Sequence, residues 1–231
     1  MGAPSAELPA PRPLSCADWT CARAALRYLE RSRQPSGLCG STATFRGVTL
    51  WDVGSQLGGL CAARGLGLLA RGAFDAWMAQ ALDALGRLPL YRGELPNKCY
   101  DARTLRPTGY GRLVEEEIGF SALDLSRLAR WLELVAARHP SHAAACRAVT
   151  ARWRPGRLER DGELMGTGLR QGTESWWQEG RLGYAQYAAS GLSRLGVNAP
   201  RAADPRARAV EVEASGVRLW ADTRDGISPG G

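Results

Sequence analysis

Thr49-Leu50-Trp51-Asp52-Val53-Gly54-Ser55-Gln56-Leu57-Gly58-Gly59-Leu60-Cys61 is the stretch on which the fold class turns. Thr49 and Asp52 have the spacing of a capping box, in which two side chains satisfy orphan amide groups of a first helical turn. The run beyond them (Leu57, Leu60, Cys61, Leu66, Leu68, Leu69) is heavily apolar, with Gly58, Gly59, Ala62 and Ala63 interspersed. A helix of this composition is buried on several sides and packs closely. The short Arg71-Gly72 connection leads to a more amphipathic segment, Ala73 to Leu88, with Phe74, Trp77, Ala81, Leu82 and Leu85 on one face. Together the two segments make an antiparallel helical hairpin.

The same signals recur on either side. Ser15-Cys16-Ala17-Asp18 opens a helix over 17–33, stopped by Gln34-Pro35-Ser36-Gly37. Ser121 and Asp124 repeat the box spacing ahead of a helix to Arg138, striped by Leu125, Leu128, Trp131, Leu132 and Val135. Pro140-Ser141 starts a second hairpin arm over Ala143 to Trp153, and Leu182 to Leu195 reads as a further helix. Leu38 to Gly47 and Arg154 to Glu174 are polar and read as long loops. A short strand pair is expected near the C-terminus, where Val210-Glu211-Val212-Glu213 and Gly216 to Trp220 alternate. The sum predicts an all-α array of hairpins, one set of helices inside and one outside. The long loops then gather where the inner helices begin, which places Trp51, Asp52, Ser55, Ser121 and Asp124 at one rim.

Composition narrows the function classes. At 231 residues, 45% hydrophobic and 23% charged, the chain suits one soluble domain with a sizeable core. The expected division is a disordered segment over 1–13, a single domain over 14–225 and a flexible tail over 226–231. The net charge of +7 comes from scattered arginines without a basic block or nucleic-acid motif, so no nucleic-acid partner is expected. Six cysteines lack a CxxC pair, and His139 and His142 flank Pro140 at a helix junction; neither metal nor cofactor is predicted. No apolar run spans a bilayer and Met1 to Pro13 lacks a signal-peptide core. The expected location is cytoplasmic for the chain as it stands, or periplasmic if it is part of a larger exported protein.

Between the two hairpins lies Gly93-Glu94-Leu95-Pro96-Asn97-Lys98-Cys99-Tyr100-Asp101, which holds the chain's only lysine. Pro96 excludes a helix here and biases Leu95 to an extended conformation. The segment reads as a loop whose amide, cation, phenol and carboxylates are free to meet a partner, although turn chemistry alone also accounts for them.

These stretches resemble the bacterial domain-of-unknown-function family 3131. The likeness rests on Thr49 to Ser55, Leu88-Pro89-Leu90 with Gly93 to Asp101, Ile118 to Leu128, Glu179-Gly180-Arg181-Leu182-Gly183-Tyr184 and Tyr187-Ala188-Ala189. It runs from about Leu14 to Asp225. Phe120 stands where tryptophan is expected and Ala185 where a glutamate is expected, and members continue past Asp225. The resemblance implies an incomplete, C-terminally truncated (α/α) toroid related to glucoamylase-like domains. It also implies an oligo- or polysaccharide partner and association with a glycosyltransferase or polysaccharide-synthesis module.

Glycoside chemistry needs one carboxylic acid to protonate the leaving oxygen, a second carboxylate as base or nucleophile, and aromatic faces for sugar rings. The acids available are Asp52, Asp101, Asp124 and Glu179. Trp51, Tyr100, Trp176, Trp177 and Tyr184 supply aromatic faces, and Ser55, Asn97 and Lys98 supply polar contacts. Capping suffices to explain Asp52 and Asp124, and packing suffices for either tryptophan of the Trp176-Trp177 pair. Three readings stand open: a hydrolase or transglycosylase acting on a bacterial glucan or exopolysaccharide, a non-catalytic glycan-binding or assembly module, and an inactive truncated remnant.

Overall fold

The computed structural model describes residues 12–224. The expected N-terminal disordered segment (apart from Arg12 and Pro13) and the expected tail over 226–231 lie outside the described residues. Helix α1 (Cys16–Ser32) lies on the flank of α2 (Leu50–Gly65). Thr49 caps α2 as its spacing predicts: its hydroxyl accepts from the Asp52 amide at 3.2 Å, and Asp52 Oδ2 accepts from the Thr49 amide at 3.1 Å. Helix α3 (Arg71–Arg87) returns, and α4 (Ala122–Arg138) and α5 (Ala143–Ala151) form the second hairpin. Helix α6 (Tyr184–Leu192) packs on α4, and the short α7 (Pro200–Ala203) on α6.

Helices α2, α4 and α6 line up side by side, while α3 and α5 pack against each other outside them. Leu50, Val53, Leu57 and Leu60 of α2 meet Leu125, Leu128, Leu132 and Val135 of α4 in one core, all almost completely shielded from water. Glycine permits the close approach. A Cβ on Gly54 would lie 3.2 Å from the Arg127 backbone, and one on Gly58 would lie 2.5 Å from the Trp131 ring. Because Gly54 meets Arg127 and Gly58 meets Trp131, the two helices run parallel. Their N-termini therefore open on the same side.

The prediction of an all-α chain is corrected. About 48% of the described residues are helical, but 21% are in strands, which form four small sheets. Strand β1 (Gly47–Thr49) pairs with β4 (Cys99–Asp101), and β2 (Leu90–Tyr91) with β3 (Leu95–Pro96). The segment from Arg154 to Glu174, expected to be a loop, instead joins a three-stranded antiparallel sheet of β5 (Glu159–Arg160), β6 (Glu163–Arg170) and β7 (Thr173–Gln178). Strands β8 (Ala209–Ala214) and β9 (Val217–Asp222) form a hairpin over the alternating C-terminal stretch.

Two-residue turns close three hairpins, at Asp161-Gly162, Gln171-Gly172 and Ser215-Gly216. Both residues of each turn have positive φ, as a type I′ turn requires. Gly166 and Gly168 mask β6 in the sequence by lowering its strand propensity, and both have packing reasons. A Cβ on Gly168 would press on the Trp177 ring at 3.0 Å, and one on Gly166 would strike the Glu179 carboxyl.

Strand β6 crosses the start of α4. The Thr167 amide donates to the Phe120 carbonyl at 2.9 Å, and the Phe120 amide donates to Thr167 Oγ1 at 3.0 Å. The end of β9 fastens the chain that follows β7: Asp222 Oδ2 accepts from the Leu182 amide at 2.9 Å, and Arg224 bonds Gln178.

Candidate active site

Two carboxylates meet at the N-terminus of α4. Glu179 follows β7 directly, and its side chain lies over Gly166, where an added Cβ would sit 2.2 Å from Oε1. Its Oε2 accepts from Ser121 Oγ at 2.9 Å and from the Leu123 amide at 3.3 Å. Glu179 thereby takes the anion position at a helix N-terminus, where unpaired amides and the helix dipole favour negative charge. Asp124 is one turn into α4. Its amide is capped by Ser121 Oγ at 3.2 Å, but its carboxylate does not close a box back onto Ser121.

Electrostatics separates the two. Burial, reinforced by the charges of Glu179 and Asp52, pushes Asp124 up to about 7 against the opposing pull of Lys98 and the Ser121 hydroxyl. Burial leaves Glu179 above its ordinary range as well, although Ser121, the α4 amides and Lys98 oppose it by favouring the ionised form. Asp124 is thereby the carboxyl of the pair poised to exchange a proton near neutral pH. Lys98 is the cation of this centre. Its side chain is buried and its ammonium lies 4.2 Å from the centre of the Trp177 ring. Desolvation lowers its pKa, while Glu179 and Asp124 pull it back up.

Of the residues singled out from sequence, Asp52, Asp124, Glu179, Lys98 and Trp177 come together here. Asp52 is spent in the Thr49 box, with its charge still felt at Asp124. Asp101 is turned to Arg46, whose Nε lies 2.8 Å from Oδ2. Burial works to raise Asp101, but Arg46 and the Arg103 amide outweigh it and hold the carboxyl below its ordinary range. Asn97 is wholly buried and staples its loop: its side chain donates to the Cys99 carbonyl at 2.8 Å and accepts from the Ile118 amide at 2.8 Å. The buried Tyr100 hydroxyl accepts from the Asn97 amide and donates to the Pro89 carbonyl, both at 2.6 Å. Trp176 is covered by Arg157, Arg160 and the Phe120 ring, and its indole donates to Glu174 at 2.9 Å.

Trp51, Ser55 and Tyr184 form a second group beside the first. The Trp51 and Tyr184 rings are 5.9 Å apart and Tyr187 is 6.4 Å from Trp51. They line an open cleft of about 320 Å³ with Arg127, Leu182 and Gly183. Sequence reading missed Arg127, Tyr187 and Tyr110 as site residues. Arg127 follows Asp124 by three positions and Tyr187 follows Tyr184 by three, a helical spacing that puts each pair on one face. Tyr110 carries no local signal. Tyr110 is 61% exposed. Even so, partial desolvation of its hydroxyl and the charges of Asp124 and Glu179 push its pKa up.

A larger concavity of about 1100 Å³ opens at the other ends of α2 and α4, between Arg64, Phe74, Trp131, Arg138 and His139. The acids lie at the N-termini of these helices, so it is not part of this centre. Among the described residues no group of three His, Cys, Asp or Glu side chains is placed to hold a metal ion, and no helix is long and apolar enough to cross a membrane.

The chain belongs to the family described as protein of unknown function (DUF3131), whose model matches residues 20–228. No curated protein matches the chain. Its fold is similar to that of an endo-β-1,2-glucanase from Chitinophaga pinensis, solved with sophorotriose and glucose (TM-score 0.66, 12% identity, 94% of this chain and 57% of that one). It is also similar to a candidate glucoamylase from Bacteroides caccae ATCC 43185 (TM-score 0.60, 14% identity, 91% and 56%) and one from Bacteroides fragilis NCTC 9343 (TM-score 0.58, 13% identity, 90% and 55%). The chain thus spans a little over half the length of each, and the likeness establishes a glucoamylase-like fold. These similarities give no support to the expected glycosyltransferase partner.

Proposed function

We propose that this DUF3131-family chain is a carbohydrate-active domain that cleaves or transfers glycosidic bonds of a bacterial glucan or exopolysaccharide. The observation that carries the reading is the Asp124–Glu179 pair: two half-buried carboxyls at the α4 N-terminus, both raised above their ordinary range and Asp124 to about 7, beside a buried cation and an exposed aromatic ring. Asp124 serves as the general acid that protonates the leaving oxygen, since its pKa is lifted toward the working pH. Glu179, bonded by Ser121 and the Leu123 amide at the α4 N-terminus, stabilises positive charge on the sugar ring or directs the nucleophile. Trp177 offers a face for a sugar ring, and Lys98 limits the repulsion among Asp52, Asp124 and Glu179.

A panel of bacterial glucans, β-1,2-linked glucan included, tests the reading through release of reducing ends or a change in chain length. Asp124→Asn and Glu179→Gln should each lower turnover by about 10²–10⁴-fold. Turnover that survives both substitutions overturns it. The second reading, a non-catalytic glycan-binding module, draws on Ala185, which is buried against Gly180 and puts no carboxylate where the family resemblance led us to expect one. Glycan binding without turnover supports that alternative.

A further inference from the structure

Arg127 is held by a hydroxyl and an aromatic ring. Its Nε donates to Ser55 Oγ at 3.0 Å, and its guanidinium carbon lies 4.2 Å from the centre of the Trp51 ring. Two other half-buried arginines, Arg157 and Arg208, each meet carboxylates, Glu94 and Glu174 for the first and Glu163 for the second. Among the described residues no carboxylate meets Arg127, although the Trp51 ring and the Ser55 hydroxyl both hold its guanidinium. Arg127 lines the same cleft as Trp51, Tyr184 and Tyr187. A guanidinium fixed in this manner suits bidentate pairing with a planar carboxylate.

The cleft is suited to one small ring. Its volume of about 320 Å³ lies at the lower end for small-ligand sites. Trp51, Tyr184 and Tyr187 give it three aromatic faces, and Tyr184 is 56% exposed in the absence of any occupant. Arg127 is three residues beyond Asp124 on α4, an axial step of about 4.5 Å, so the cleft adjoins the acid centre along one helix face.

We propose that this cleft is a subsite for a hexuronic acid residue, whose carboxylate pairs with the terminal nitrogens of Arg127 while its ring lies among Trp51, Tyr184 and Tyr187. The substrate class narrows accordingly to an acidic polysaccharide. This rests on the reading of the Asp124–Glu179 pair as the reacting centre. The inference assigns the recognition of charge to Arg127 and leaves bond cleavage to the carboxylates.

The test compares short uronic-acid oligosaccharides with their carboxyl-reduced, neutral counterparts, by titration calorimetry on the full chain and by reducing-end release. The wild-type chain should bind the acidic form roughly tenfold or more tightly, with the ratio shrinking as salt is added. Arg127→Gln should bring the ratio close to one, and Arg127→Lys, which keeps the charge but not the planar fork, should retain only part of it. Thermal unfolding checks that each variant is folded, and Ser55→Ala, which only loosens the guanidinium, supplies an independent partial loss if Arg127→Gln does not fold. A wild-type ratio near one, or a ratio that survives Arg127→Gln, overturns the proposal. Cleavage of neutral glucans that depends on Asp124 with a ratio of one overturns the proposal alone. An intact ratio without turnover supports the subsite and overturns the catalytic reading, whereas failure to bind any oligosaccharide of either kind overturns both.

Discussion

Helices α2 and α4 begin with the same local signal and end in different chemistry. In each, a hydroxyl residue caps the helix three positions before an aspartate, Thr49 before Asp52 and Ser121 before Asp124. At α2 no other side chain among the described residues bonds Thr49, and the Asp52 carboxylate folds back to close the box, 3.1 Å from the Thr49 amide and 2.8 Å from its Oγ1. At α4 the Ser121 hydroxyl is bonded to Glu179, brought 58 residues along the chain by β7. The Asp124 carboxyl is left to face a second acid in a partly dry site. Two aspartates that are equivalent over four residues are thus set apart by a partner that local sequence does not contain.

The most decisive way to break this comparison is to neutralise each aspartate in turn. Asp124→Asn should reduce turnover by about 10²–10⁴-fold, whereas Asp52→Asn should act mainly on folding, lowering stability by about 0.5–2 kcal/mol as a lost cap does. Equal losses of turnover at the two positions would show that both aspartates share the acid's role. Gly166→Ala comes next. The added methyl would sit 2.2 Å from Glu179 Oε1, so the carboxyl must leave the α4 terminus. Turnover should fall at least about tenfold while helix content by circular dichroism stays constant. Unchanged kinetics would remove Glu179 from the centre.

Smaller effects should appear in the caps themselves. Thr49→Ala and Ser121→Ala should each cost about 1 kcal/mol in urea unfolding, but only Ser121→Ala should also shift the pH–rate profile, because it removes a donor to Glu179. The gentlest test is the pH dependence of stability. The folded pKa of Asp124, about 7, lies above its ordinary value of 3.8, so between these limits the folded state binds more protons than the unfolded state. Stability from this group is therefore complete below about pH 4 and is lost as pH rises through 7. Asp124→Asn should leave the melting temperature unchanged at pH 4 and raise it by a few degrees at pH 8. Turnover should likewise decline above pH 7, as the acid loses its proton.

The helices were legible because their signals are local: caps at Thr49 and Ser121, apolar stripes, and breakers such as Pro35. The sheet of β5, β6 and β7 was not, since Gly166 and Gly168 read as loop residues while their absent side chains make room for Glu179 and Trp177. The Asp161-Gly162 and Gln171-Gly172 turns, both residues of each at positive φ, were the overlooked signal. In the candidate site, sequence named Asp124, Glu179 and Lys98, whose side-chain chemistry is plain. It could not separate them from Asp101, Asn97 and Tyr100, which carry equally reactive-looking groups. Arg46, the Ile118 amide and the Pro89 carbonyl engage those three, and such partners appear only once the chain is folded.

The bond from the Leu182 amide to Asp222 has a consequence for biosynthesis. Its two ends are 40 residues apart, and the amide belongs to the segment joining Glu179 to Tyr184. At about 5–20 residues per second, the ribosome releases Asp222 some 2–8 s after Leu182. Through that interval α2 and α4 have already emerged, while the segment bearing the second carboxylate still lacks its fastening. The nascent chain is thus expected to hold a helical core before it holds a working centre, and ribosome-arrested chains ending short of β9 should gain protease resistance in α2 to α5 ahead of the region around Glu179.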